Sequence, residues 1–134
     1  MLRRLHHLAA IAAVAVLAAA PAHATDFLKA IDDVPIFPGL AEAAEPVVFE
    51  SDQGRVVRTS TDGHADYGAV RGFYLASLPS LGWMREGTGE HGPFVFTREH
   101  ERLTLSIEPA AGVDSPINVI FELVVKLAST RLPE

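Results

Sequence analysis

No cysteine occurs among the 134 residues. That absence excludes disulfides, thiolate metal sites, thiol catalysis and lipid attachment at an N-terminal cysteine. Positive charge is scarce, with 11 Lys and Arg against 17 Asp and Glu. A chain of this sign carries no electrostatic footprint for nucleic acid or anionic lipid. Long apolar runs are missing too. The longest, residues 8–20, has 13 residues, about 20 Å of helix against a bilayer core of about 30 Å. Catalytic signatures are also absent: there is no Gly-x-Ser-x-Gly elbow, no Ser-x-x-Lys and no His-Glu-x-x-His.

The short apolar run has a different reading. Arg3 and Arg4 precede it, Pro21 breaks it, and Ala22-His23-Ala24 supplies the small-x-small pattern read by signal peptidase. Residues 1–24 are therefore expected to be a cleavable Sec-type signal peptide of bacterial style. Cleavage falls after Ala24, delivers the chain to the periplasm or beyond, and leaves no stable membrane anchor. Taking Arg3 and Arg4 from the 11 basic residues leaves 9 against 17, a net charge of −8 for the exported chain. About 110 residues suit one domain, stabilised by packing alone.

Residues 25–46 form a proline-containing arm. Pro35 and Pro38 forbid regular helix there, with short helical turns expected near 27–31 and 41–44. Its apolar residues exceed a linker's needs. Either the arm covers a core edge, or Ile36, Phe37 and Leu40 dock on a partner.

The α+β domain spans 47–128, followed by a polar tail over 129–134. Residues 47–50 and 55–61 flank the turn Ser51-Asp52-Gln53-Gly54 and read as a hairpin. A helix is expected over about 67–78. Asp66 caps it, Val70, Phe73, Tyr74, Leu78 and Leu81 form its apolar stripe, and Pro79 and Gly82 stop it. Gly68, Gly72 and Ala76 make a smooth strip at i, i+4 and i+8, expected to face a closely approaching strand or, alternatively, another chain. Strands are expected over 83–86, 94–98, 103–108 and 117–127, by alternation of apolar and polar residues. The last is apolar on both faces, which places it centrally or beneath a second layer. The predicted order is β-β-α-β-β-β-β. The expected fold is a mostly antiparallel sheet of about five to six strands with one main helix on one face.

The stretch Val70-x-x-Phe73-Tyr74-x-x-x-Leu78-Pro79-x-Leu81-Gly82-Trp83, with Phe37-Pro38-Gly39-Leu40 upstream, resembles a family of small exported proteobacterial proteins of uncharacterised function. The resemblance covers most of the chain after the leader. It implies export and fold, and carries no catalytic residue or cofactor across.

Chemistry fares poorly when tested on physical grounds. Gly87-x-Gly89-x-x-Gly92 has the letters of a dinucleotide fingerprint, but a strand follows it where the pyrophosphate needs a helix N-terminus. His91 and His100 bracket one strand and lie up to about 30 Å apart at 3.3 Å per residue, too far to share an ion. Arg55, Arg58 and Arg71 are candidates for a small anion patch, against a reading as solvated or paired side chains. No catalytic residue, metal site or cofactor is expected. The residues point to a non-catalytic interaction or accessory domain, whose partner is expected to be an envelope protein. Two alternatives stand beside it. One is a small-ligand carrier with a pocket at Phe73, Tyr74 and Trp83, between helix and sheet. The other is a weak periplasmic metal binder.

Overall fold

A computed structural model describes residues 24–127. The expected signal peptide up to residue 23 and the expected tail over 129–134 lie outside the described residues. Seven strands and one helix follow in the order β1 (Ala41–Glu42), β2 (Val47–Ser51), β3 (Gly54–Gly63), α1 (Tyr67–Ser80), β4 (Met84–Glu86), β5 (Phe94–Arg98), β6 (Glu101–Glu108) and β7 (Ile117–Lys126). All strand pairings are antiparallel, giving the spatial order β1-β3-β7-β6-β5-β4, with β2 paired to β3 on the same side as β1.

This is the expected α+β sheet with a single helix, carrying one more strand than predicted. The extra strand is β1, where a helical turn was expected. Ala41 and Glu42 pair with Asp62 and Thr61 instead, because β3 runs on past the end of β2 and offers them a ladder. The helical turn expected near 27–31 is absent as well. Phe27 bridges Pro35, and Leu28 N–H donates to the Val34 carbonyl at 2.9 Å, closing a small antiparallel loop.

Register assigns the two faces of the sheet. On the inner face Val57, Leu123, Leu103 and Phe96 form one row, and Thr59, Phe121, Leu105 and Phe94 the next. All eight are buried. Helix α1 runs from β3 to the far edge strand β4 and covers this face with Val70, Tyr74 and Leu78. The proline arm completes the layer. Leu28, Ile31, Val34, Ile36 and Leu40 belong to the same core cluster. β7 lies centrally, between β3 and β6. The arm packs on the helix side of the sheet, so it does not supply a layer for the other face of β7.

Local chemistry sets the helix ends. The Asp66 carboxylate accepts from Ala69 N–H at 2.9 Å, the expected N-cap. The helix outruns its expected end by two residues, and Pro79 lies inside the last turn. Gly82 N–H donates to the Pro79 carbonyl and Trp83 N–H to the Leu78 carbonyl, with Gly82 at φ +90. These are the paired bonds of a Schellman stop, which carries the spiral past the proline and needs a residue at ease in the left-handed region. Trp83 therefore sits buried in the exit turn, and β4 begins one residue later than expected.

Gly63 meets a different demand. A Cβ there would stand 2.6 Å from the Gly39 carbonyl oxygen. The end of β3 thus packs directly on the turn Phe37-Pro38-Gly39-Leu40, which the Leu40 N–H closes onto the Phe37 carbonyl.

Candidate functional site

The expected docking anchors are engaged inside the molecule. Ile36 and Leu40 are buried in the core. Phe37 is half-buried, its ring edge-on to Phe73 at 5.3 Å, and its backbone N–H donates to the Tyr74 hydroxyl at 3.2 Å. The expected ligand-pocket residues are engaged as well. Phe73 meets Tyr74 edge-on at 5.0 Å, and Tyr74 meets Phe121 at 5.6 Å, so rings fill the space between helix and sheet. Burial pushes the Tyr74 phenol well above its ordinary range, an effect only partly offset by the Phe37 N–H.

Trp83 is buried beneath Arg98, whose guanidinium lies 4.3 Å from the ring centre. Arg98 also reaches Glu101 Oε2 at 3.0 Å, Asp33 Oδ2 at 3.2 Å and the Leu81 carbonyl at 3.3 Å. One side chain thus ties the arm, the helix exit and the β5–β6 hairpin together. Its face stacks while its edge donors are filled by the chain's own oxygens. The composition and patterning of the sequence carry no signal for this convergence, since Asp33 and Arg98 lie 65 residues apart.

A second arginine–aromatic site has the same parts and a different state. Arg71 and Arg85 both lie over the buried ring of Phe94, at 5.9 and 5.6 Å from its centre. Arg85 donates to the Gly89 carbonyl of the loop before β5. Among the described residues neither guanidinium pairs with a carboxylate, and the Arg71 Nε is buried with no acceptor. The candidate anion patch of Arg55, Arg58 and Arg71 does not form. Arg55 pairs with Glu50 at 3.3 Å at the start of β3. Arg71 stands over β5, separated from β3 by β7 and β6. The one available signal was that Arg71 is the sole charged residue in Tyr67–Ser80.

Beside Phe94 opens a cleft of about 450 Å³, lined by Tyr67, His91, Gly92, Pro93, Ser106, Ile107 and Pro109. Most of that lining is apolar. The glycine-rich loop forms one wall and joins antiparallel β4 and β5, the hairpin role expected for it. His64, His91 and His100 are all exposed. Among the described residues no three His, Asp or Glu side chains converge on one point.

The remaining feature is an edge. All five residues of β2 are exposed. Val47, Val48 and Phe49 retain 49%, 42% and 68% of their surface in contact with solvent. Phe49 aligns with Val56 and Val124 across the outer face of the sheet, beside a groove of about 270 Å³. The opposite edge, β4, has three residues, and Arg102 pairs with its Glu86 at 3.2 Å. Short, charged edges resist pairing, whereas long apolar ones invite it. The run 47–50 was legible as a strand, but not as an edge, because alternation says nothing about sheet order.

Among the described residues no helix is long and apolar enough to cross a membrane. Neither a family model, a curated protein nor a solved structure matches this chain.

Proposed function

We propose that the chain is an exported, non-catalytic binding domain of the bacterial envelope, which presents the free edge of β2 to an extended segment of a partner protein. The observation that carries this reading is the exposure of Val47, Val48 and Phe49 on a strand whose outer backbone groups have no neighbour among the described residues. An incoming strand would satisfy those N–H and C=O groups and cover the apolar side chains on both faces, which is how sheet-edge recognition works. Export is supported by the charged start, apolar run and small-x-small pattern of residues 1–24. The resemblance to exported proteobacterial proteins through the Leu-Pro-x-Leu-Gly-Trp stop supports the same placement. Ile36, Phe37 and Leu40 are the weaker candidates for docking, since their surface is already spent on the chain's own core.

Two measurements test the reading. The chain recovered from a periplasmic extract should begin at Thr25; recovery only in the cytoplasm, with the leader intact, removes export. A photo-crosslinking side chain at position 49 should yield one discrete adduct in whole envelopes. The same group at Glu108, on the outer face away from β2, should yield none. Equal labelling from both positions, or none from either, removes the edge as the docking element.

A further inference from the structure

We propose that the strand received at the free edge of β2 is basic at both ends and apolar between them. This inference rests on the reading of β2 as a docking edge, and it names the chemistry of the partner segment.

The edge has an apolar centre on both of its faces. Register aligns Val48 with buried Val57, on the inner face, and Phe49 with Val56, on the outer one. Val47 and Phe49, two residues apart, therefore share the outer face. There Val47 borders a groove of about 230 Å³ and Phe49 one of about 270 Å³. Alternate side chains of an added strand stand about 7 Å apart along one face. Two bulky apolar residues at i and i+2 thus match that pair, while the residue between them covers Val48.

Acids bracket this centre. Glu45 stands two residues before β2 and Asp52 directly after it, and both are exposed. About 20 Å of strand separates them. Among the described residues neither carboxylate forms an ion pair. The cations of the same region are answered from within the sheet. Arg55 pairs with Glu50 at 3.3 Å, and Arg58 lies opposite Glu122 on β7. Negative charge is left over at each end of an apolar strand.

These charges turn away a second copy. Two β2 strands paired antiparallel about a two-fold axis would set acidic end against acidic end, at both ends at once. Like charges brought together across a strand pair destabilise it. A segment with Lys or Arg at either end reverses the sign, and such complementarity raises the rate of encounter and rejects wrong partners.

Fluorescence anisotropy of labelled peptides, titrated with the purified exported chain, tests this. Lys-Thr-Val-Ile-Phe-Thr-Lys is the basic probe and Glu-Thr-Val-Ile-Phe-Thr-Glu the acidic one. The basic probe should bind one-to-one and about tenfold more tightly, the scale of two exposed ion pairs made rather than opposed. Glu45→Gln combined with Asp52→Asn should bring the two peptides within about twofold of each other, and exposure of both side chains keeps the fold intact. Phe49→Thr should weaken both peptides. Equal affinity for the two peptides overturns the proposal; if Phe49→Thr still weakens both, the edge stands and only its basic preference falls. A tenfold gap that survives the Glu45→Gln and Asp52→Asn pair also overturns it. So does dimerisation of the chain at micromolar concentration that Phe49→Thr abolishes, which would make a second copy the occupant. Binding by neither peptide overturns it as well, and the crosslink from position 49 then decides separately whether the edge docks a partner.

Discussion

The two faces of this sheet are built from the same strands and have opposite fates. On the inner face Phe121 has none of its surface exposed; on the outer face Phe49 keeps 68%. β7 shows the division within one strand. Ile117, Val119, Phe121 and Leu123 are buried, while Asn118, Ile120, Glu122 and Val124 are half-buried, although two of those four are aliphatic. The difference is coverage. Helix and arm both lie on the inner side, and no described element lies on the outer one. Apolar residues on the two faces therefore do different jobs, cohesion inside and availability outside.

The sharpest way to break that comparison is to remove a ring from the inner face. Phe121→Ala opens a cavity beneath Tyr74, and should cost about 3–5 kcal/mol of unfolding free energy by chemical denaturation. A loss below about 1 kcal/mol would mean that the inner layer is loosely filled.

A second handle on the inner face is pH. Burial keeps the Tyr74 phenol protonated in the folded chain at pH values where the unfolded phenol has already ionised. The folded pKa is raised, so this contribution is fully present below pH about 10, the ordinary tyrosine value, and is lost as pH rises above it. The expected slope is about 1.4 kcal/mol of lost stability for each pH unit. Denaturation midpoints at pH 8 and pH 11 should differ accordingly, and Tyr74→Phe should remove most of that dependence. Equal slopes in both proteins would show that water reaches the phenol.

How far the sequence discloses these faces differs element by element. Alternation alone assigned Leu103, Leu105 and Ile107 to one side of their strand, because a pleated strand must alternate and only one side was apolar. Asp66 and the Gly82 exit turn were equally legible, since capping is local chemistry, whereas the overrun past Pro79 to Ser80 was not. What stayed hidden depends on distant partners. β1 exists only because β3 extends beyond β2, and Arg98 becomes a latch only when folding brings Asp33 to it. The arm's residues were visibly apolar, yet composition could not say whether Ile36 and Leu40 face a core or a partner. The arginine pair at Phe94 was missed for the same reason: Arg71 and Arg85 belong to different elements that only the crossover of α1 brings together.

The solvent face of the helix offers a smaller and opposite effect. Gly72 is exposed, and a Cβ there would meet nothing within 4 Å. The smooth strip of Gly68, Gly72 and Ala76 thus faces solvent, and the expected close approach of a strand does not account for it. Gly72→Ala should raise stability by about 1 kcal/mol, the ordinary cost of glycine in a helix. A destabilising result would reveal a neighbour that the described residues lack.

The smallest expected effect is the one that discriminates most. Phe49→Thr removes a large aromatic ring from β2 and keeps a residue suited to strands. If the outer face is free, stability should move by no more than about 0.5 kcal/mol, as for surface positions generally. The partner adduct at β2 should nonetheless disappear when the crosslinker is carried at position 47. That pair of outcomes would accord with the proposed docking role of the β2 edge. Should Phe49→Thr cost as much as Phe121→Ala, the outer face is covered within the chain itself, and the distinction between the two faces collapses.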